Sequence, residues 1–185
     1  MGKGKLFVIS GASGVGKSTV LSTVMAQRDD LLFSVSATTR APRPGEEDAV
    51  SYYFVSKETF LDMIERNAFI EYDAHMDNYY GTPIDQLEEK LSRGNVILDI
   101  EPNGAFLVRK ARPDAVLIFI APPSLETLEQ RLRGRGDTDE AQIKIRQDRV
   151  AWEMEQSKLY DYTVVNDRVE DCARNILNII AQVAD

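Results

Sequence analysis

Three runs of the chain are apolar almost without interruption: KLFVIS, NVILDI and AVLIFIA. A strand with one wet face alternates apolar and polar side chains, whereas an unbroken run suits a strand covered on both faces. Seven strands are predicted, at Leu6–Ser10, Phe33–Ala37, Tyr52–Val55, Phe69–Asp73, Val96–Ile100, Ala115–Ile120 and Tyr162–Val165. Helix signals fall between them. Thr82 followed by Pro83 reads as a cap with proline at the first helical position, and Gly94 closes that helix. Ser124, after two prolines, starts another; Thr138, with Asp139 and Glu140 in its first turn, opens a long helix through Glu155. The segment Arg168–Ala184 places Val169, Cys172, Ile176, Ile179, Ile180 and Val183 on one face, as a docked helix requires. Strands and helices in alternation predict an α/β fold with a mainly parallel sheet flanked by helices. Two stretches break the alternation. Residues 33–82, with short strands and many tyrosines, read as an insertion. Residues 131–149 carry Arg131, Arg133, Arg135, Lys144, Arg146 and Arg149, a density of charge that in isolation reads as a solvated face.

A length of 185 residues supports one good core. The net charge of −8 argues against wholesale nucleic-acid binding, which wants a basic surface. It leaves room for a small anion in a local basic pocket. A single cysteine, Cys172, excludes an internal disulfide, and with one histidine, His75, there is little material for a zinc site or a catalytic triad. The apolar run near the N-terminus is too short for a signal peptide or a membrane span, so the expectation is a soluble cytoplasmic protein with no membrane partner. The sequence leaves oligomeric state open, a homo-oligomer included.

GASGVGKST spans Gly11 to Thr19 and fits G-x-x-x-x-G-K-[ST] at Gly11, Gly16, Lys17 and Ser18. In such a loop the backbone N–H groups of Gly11, Ala12, Ser13, Gly14, Val15 and Gly16 turn toward a phosphate. Lys17 adds positive charge, Ser18 can ligate Mg²⁺, and a helix N-terminus lies beneath Thr19. A strand before and a helix after make the context right. The loop points to a nucleoside triphosphate with Mg²⁺, and the absence of N-K-x-D argues against a GTPase. Phosphoryl transfer needs positive charge over the migrating group, which gives the arginine-rich stretch a second reading as a mobile lid. TTRAPRPGE, from Thr38 to Glu46, sets Arg40 and Arg43 three residues apart among prolines. On residues alone this fits an exposed basic turn as well as an anion site.

In order along the chain, GASGVGKST, FSVSATTRAPRPGE, YYFVS, FIEY, NYYGT, ILDI, IFIAPPS, RLRGRG and VVND resemble guanylate kinase almost end to end. The resemblance implies transfer of a phosphoryl group from ATP to GMP with Mg²⁺. It implies a P-loop core over 1–32, 83–125 and 156–185, a GMP-binding region over 33–82 and a helical lid over 126–155. By the family pattern Arg40 and Arg43 clamp the GMP phosphate, helped by the hydroxyls of Tyr52 and Tyr80. Glu71 accepts from guanine N1–H and the exocyclic amine, with Ser36 and Thr82 offering hydroxyls. Asp99 lies near Mg²⁺ and the GMP site. Arg135 and Arg146 match the lid arginines on the transferring phosphates, and Asn166 and Asp167 lie where the adenine of ATP is held. The chain departs from the pattern at Ala12, at Ala49 in place of a usual glycine, at Ser51 and at Val150. It also has Glu101 where a second aspartate helps read the guanine amine. Some guanylate-kinase-like domains are non-catalytic scaffolds with a degraded loop or lid; Lys17, Ser18, Arg135 and Arg146 are all present here.

Overall fold

A computed structural model describes residues 4–75, 77–124, 126–127 and 140–184, with the side chains of residues 75 and 140–147 outside the description. The three apolar runs form the middle of a five-stranded parallel sheet. Its strands are β1 (Leu6–Gly11), β2 (Leu31–Phe33), β7 (Asn95–Asp99), β8 (Val116–Ala121) and β9 (Tyr162–Val165), in the order β2-β7-β1-β8-β9. Every residue of β1 is buried, which is why its sequence does not alternate. Helices α1 (Lys17–Met25), α3 (Ile84–Arg93), α4 (Pro102–Ala111), α5 (Glu140–Gln156) and α6 (Val169–Ala184) accompany the sheet. The expected apolar face of α6 is realised by Cys172, Ala173, Ile176 and Ile180, all buried, and α6 packs against α1. Since β1 is flanked by β7 on one side and β8 on the other, the chain diverges at the C-terminal ends of β1 and β7. In open α/β sheets that divergence is where ligands sit.

The second sheet lies within residues 37–83. It joins β3 (Ala37–Thr38), β4 (Tyr53–Phe54), β5 (Phe69–His75) and β6 (Asn78–Pro83) in the order β4-β3-β6-β5. Helix α2 (Lys57–Glu65) covers it with a small core of its own, where Phe60 stacks on Phe69 at 4.4 Å and on Tyr79 at 5.4 Å. Ser56 caps α2 by accepting the Thr59 N–H at 3.1 Å.

Two expectations are corrected here, and three elements come in addition. The strand expected over Phe33–Ala37 is two strands in two sheets. After Phe33, Ser34 N–H still reaches Ile97 O at 2.8 Å, and the chain then crosses to pair Ala37 with Gly81. Thr82 does not cap α3. It belongs to β6, opposite Glu71, and Pro83 holds the cap position with no side-chain cap bond. Finally, α2, α4 and β6 were not among the expected elements. Ser124 behaves as expected, accepting the Thr127 N–H at 3.1 Å; the start of the long helix at Thr138 lies outside the described residues.

Ala49, where the resemblance leads one to expect glycine, has φ 60°. Left-handed backbone costs a residue with a Cβ about 1–2 kcal/mol, and glycine's greater freedom in the unfolded chain offsets part of that gain. Ala49→Gly is therefore expected to stabilise the protein by about 0.5–1 kcal/mol, a rise in Tm of about 1–4 °C. A thermal melt that shows a lower Tm would mean that the methyl group packs usefully.

Candidate active site

The loop after β1 turns at two glycines with left-handed backbone, Gly14 at φ 81° and Gly16 at φ 92°. Side-chain-bearing residues rarely adopt these angles, so the spacing of the glycines is what allows the loop to close around an anion. Asn166, at the end of β9, is buried. Its amide Nδ2 donates to Val15 O at 2.8 Å, and a Cβ at Gly16 would stand 3.1 Å from that nitrogen. The residue expected near adenine thus braces the phosphate loop from below; its neighbour Asp167 is exposed. Helix α1 begins at Lys17, directly after the loop, so its first N–H groups face the same space.

Lys17 Nζ forms an ion pair with Asp99 Oδ1, joining the loop to the end of β7. Strand pairing produces the meeting, since Asp99 is the parallel partner of Ile9 in β1. Burial works against the lysine's charge, but Asp99 and then Glu101 outweigh it and hold the ammonium's pKa above its ordinary value. Ser18 and Asp99 line one cavity together with Ser36, Glu46 and Tyr52.

A cleft of about 260 Å³ opens beside Lys17 and runs to Glu71 between the two sheets. Ser36, Tyr52, Tyr80, Asp99 and Glu101 share its lining, so most of the residues expected to hold the acceptor do converge. Glu71 is 7% exposed. Thr82 donates its hydroxyl to Glu71 Oε1 at 2.5 Å, leaving Oε2 toward α4. Burial pushes the Glu71 carboxyl above its ordinary value, opposed by the hydroxyl and N–H of Thr82. A buried carboxylate with a hydroxyl on one oxygen is suited to accept from paired N–H donors of a ligand.

Helix α4 approaches this carboxylate through Gly104, where a Cβ would lie only 2.9 Å from Glu71 Oε2. Gly104→Ala is expected to displace the far end of Glu71 rather than the backbone. If Glu71 binds the acceptor base, an imperfect hydrogen bond of about 0.5–1.5 kcal/mol raises KM for that substrate about two- to tenfold. KM for ATP should stay nearly constant; an equal rise in both would place the damage elsewhere.

Arg40 presents a fork to Glu46, with Nη1 and Nη2 each 2.9 Å from a carboxylate oxygen, and its guanidinium lies over the Tyr52 ring at 5.4 Å. The Arg40 hydrogen bonds, followed by the Arg43 backbone N–H, hold the Glu46 carboxyl down to about 2. Arg40 is correspondingly raised, by Glu46 against burial and with help from Tyr80. The Arg43 side chain is exposed. The arginine loop is therefore organised around a carboxylate that the sequence reading passed over, although Glu46 stands three residues after Arg43.

In the last turns of α5 the sequence reading named Arg149 only as part of the charged stretch and passed over Glu153. Glu153 is fully buried and accepts the Ser13 N–H of the phosphate loop at 2.7 Å. Burial raises its carboxyl, opposed by Ser13 and Arg149. Arg149 donates from Nε to Glu153 and from Nη2 to Glu101 Oε2, both at 3.0 Å. Glu101, expected to read a guanine amine, lines the cleft but spends this oxygen on Arg149. Arg149 and Trp152 stand at the same cleft. Of the lid arginines, Arg135 lies outside the described residues, and Arg146 is placed only through the backbone of α5.

Comparison with known proteins agrees with this geometry. The guanylate kinase family model matches residues 3–183. A guanylate kinase of Desulfotalea psychrophila is 48% identical over 182 residues, covering 97% of this chain and 90% of its own. One from Thermus thermophilus is 46% identical over 179 residues, covering 96% and 81%. The crystal structure of guanylate kinase from Anaplasma phagocytophilum superposes with a TM-score of 0.79 at 32% identity, covering 98% of this chain and 87% of that one. A match that leaves only a few residues outside it at each end, close relatives over nearly full length and a shared fold all say the same: this chain belongs to the guanylate kinase family.

Proposed function

We infer that this chain transfers the γ-phosphoryl group of ATP to GMP, giving ADP and GDP. A phosphate oxygen of GMP attacks the γ-phosphorus, the bond to the β–γ bridging oxygen breaks, and ADP leaves with that oxygen. The observation that carries the reading is that one cleft is lined by both Lys17 and Glu71, so a base-reading carboxylate and a phosphate lysine serve a single bound molecule pair. Lys17 and the loop N–H groups from Gly11 to Thr19 hold the ATP phosphates. Glu71, Thr82 and Ser36 take the guanine edge, and Arg40, Arg43, Tyr52 and Tyr80 take the GMP phosphate, with Glu46 holding Arg40 until it arrives. Adenine offers an acceptor at N1, so a carboxylate there would face a lone pair and leave buried groups unpaired.

The residues fit a magnesium ion: Ser18 and Asp99 share a cavity beside Lys17, and Mg²⁺ usually takes one or two protein oxygens and completes its shell with phosphates and water. When bound, it neutralises charge on the phosphates. Arg135 and Arg146 add positive charge over the migrating group, and the division into core, GMP-binding region and lid follows the boundaries given above. Asn166 supports the ATP site through the loop, with Asp167 at its edge. No described helix is long and apolar enough to cross a membrane. We place the reaction in the cytoplasm, as the sequence leads one to expect.

The test is turnover of ATP with GMP, AMP, CMP and UMP in turn. GMP should exceed the others in kcat/KM by about 10³-fold or more. Equal rates across the panel, or none with GMP, would overturn the assignment.

A further inference from the structure

We propose that Arg149 is a positioning residue that ties the wall of the acceptor cleft to the phosphate loop, so that filling one site organises the other. The proposal rests on the two-substrate reading above. Four groups form an unbroken chain. Glu101, at the cap position of α4, accepts from Arg149 Nη2; Arg149 Nε donates to Glu153; and Glu153 Oε2 accepts the Ser13 N–H. The residues come from three places in the sequence, with Ser13 and Glu153 140 positions apart.

The geometry makes Arg149 the joint. Its two donors are separate nitrogens of one rigid plane, so the positions of the two carboxylates are fixed relative to each other. One carboxylate, Glu153, is fully buried, with its side chain 1% exposed. A charge so placed keeps its form only while it is paired and hydrogen-bonded, and its partners are Arg149 and the phosphate loop. The other, Glu101, has its side chain 56% exposed and stands two residues after Asp99 on the segment that lines the cleft. Anything that settles this segment, such as GMP in the cleft, settles Arg149, and through Glu153 it settles the loop at Ser13. Ordering already supplied by one ligand need not be supplied again by the next, which makes binding of the second tighter. The chain's glutamate at 101, in place of the family's aspartate, has the additional methylene with which it reaches Arg149 in this arrangement.

The experiment is a calorimetric measurement of the GMP Kd, alone and with saturating Mg²⁺ and a non-hydrolysable ATP analogue. Trp152, the single tryptophan of the chain and part of the cleft lining, gives a second, fluorescent readout. In the wild type the analogue should tighten GMP binding about fivefold or more, within the usual range of coupling between sites. In Glu101→Ala and in Arg149→Gln the ratio of the two Kd values should fall toward one, whatever each change does to either Kd alone. The double variant should lose no more coupling than either single one, because both cut the same connection. Arg149→Gln leaves Glu153 buried without its cation and risks the fold; Glu101→Ala removes the acceptor of Arg149 Nη2 at the exposed end of the chain and keeps the test sound. Folded Glu101→Ala with the wild-type ratio, or a wild type whose ratio is already one, overturns the proposal. Failure of the wild type to bind GMP at all would instead overturn the functional reading, and this proposal with it.

Discussion

Lys17→Met is expected to lower kcat/KM by about 10²–10³-fold or more while the protein stays folded. The lysine stands at the first position of α1, beneath a loop shaped by Gly14 and Gly16, and its Nζ faces the cleft paired with Asp99. Fixed positive charge placed where negative charge develops is commonly worth about 3–4 kcal/mol of transition-state stabilisation. Methionine reproduces the aliphatic stem and removes only that charge. Asp99 loses its partner, but its side chain is 24% exposed and can be solvated in compensation. Steady-state kinetics with ATP and GMP, read beside a circular dichroism melt, check both halves. Near-wild-type turnover would sink the assignment of the loop; loss of the fold would show that the ion pair with Asp99 is structural first.

Glu71→Gln should be nearly as damaging, in a different way. Guanine presents two adjacent donors, and a glutamine can accept from one only by turning its own amine toward the other. Loss of charged hydrogen bonds worth about 1.5–3 kcal/mol each predicts a fall in kcat/KM for GMP of about a hundredfold or more. AMP should lose less, because an amide can match adenine's donor–acceptor edge, so the preference between the two substrates narrows. Acidity gives an independent check. Burial raises the Glu71 carboxyl above its ordinary 4.5, so in the free enzyme it takes up a proton at a higher pH than an exposed glutamate would. KM for GMP should therefore rise on acidification from above that range, and this acid limb should be missing in Glu71→Gln. The sign for stability is opposite. A carboxyl whose folded pKa is raised binds more protons in the folded state, so its contribution falls as pH rises through the interval above 4.5. Glu71→Gln should accordingly cost no stability at neutral pH, and Thr82 can still donate to the amide oxygen. A variant that is both inactive and unfolded would remove the argument for a base-reading role.

Much of the fold could be read in advance where burial alone decides. The runs that became β1, β7 and β8 lie between layers, so their sequence is apolar whichever side each residue faces, and α6 shows its buried stripe at helical spacing. The second sheet was harder. NYYGTP in β6 has little to mark it as a strand, and it is one because β3 and β5 pair with it on both sides. For α2 a usable signal existed, Ser56 capping Thr59 before Phe60, Met63 and Ile64, and it was lost among the short strands. At the site, the phosphate loop and the residues proposed to hold the acceptor came from local motifs and resemblance. The charged groups that hold them did not. Glu153 looks like one more polar residue on a charged helix; only folding brings it under Ser13, and no local pattern announces a contact between residues so far apart.

Three cations of this site come with anions of the same chain: Glu46 on Arg40, Asp99 on Lys17, and Glu101 with Glu153 on Arg149. A tethered group competes at an effective concentration of about millimolar or above, however dilute the solution around it. Chloride or stray inorganic phosphate must therefore displace a competitor that never diffuses away. A nucleotide brings a base as well as its phosphates, and the contacts of the base can offset the exchange. Selectivity against small anions thus follows from these pairings, and a chain of net charge −8 can carry Arg40 and Arg149 at a cleft without leaving them open to every anion it meets.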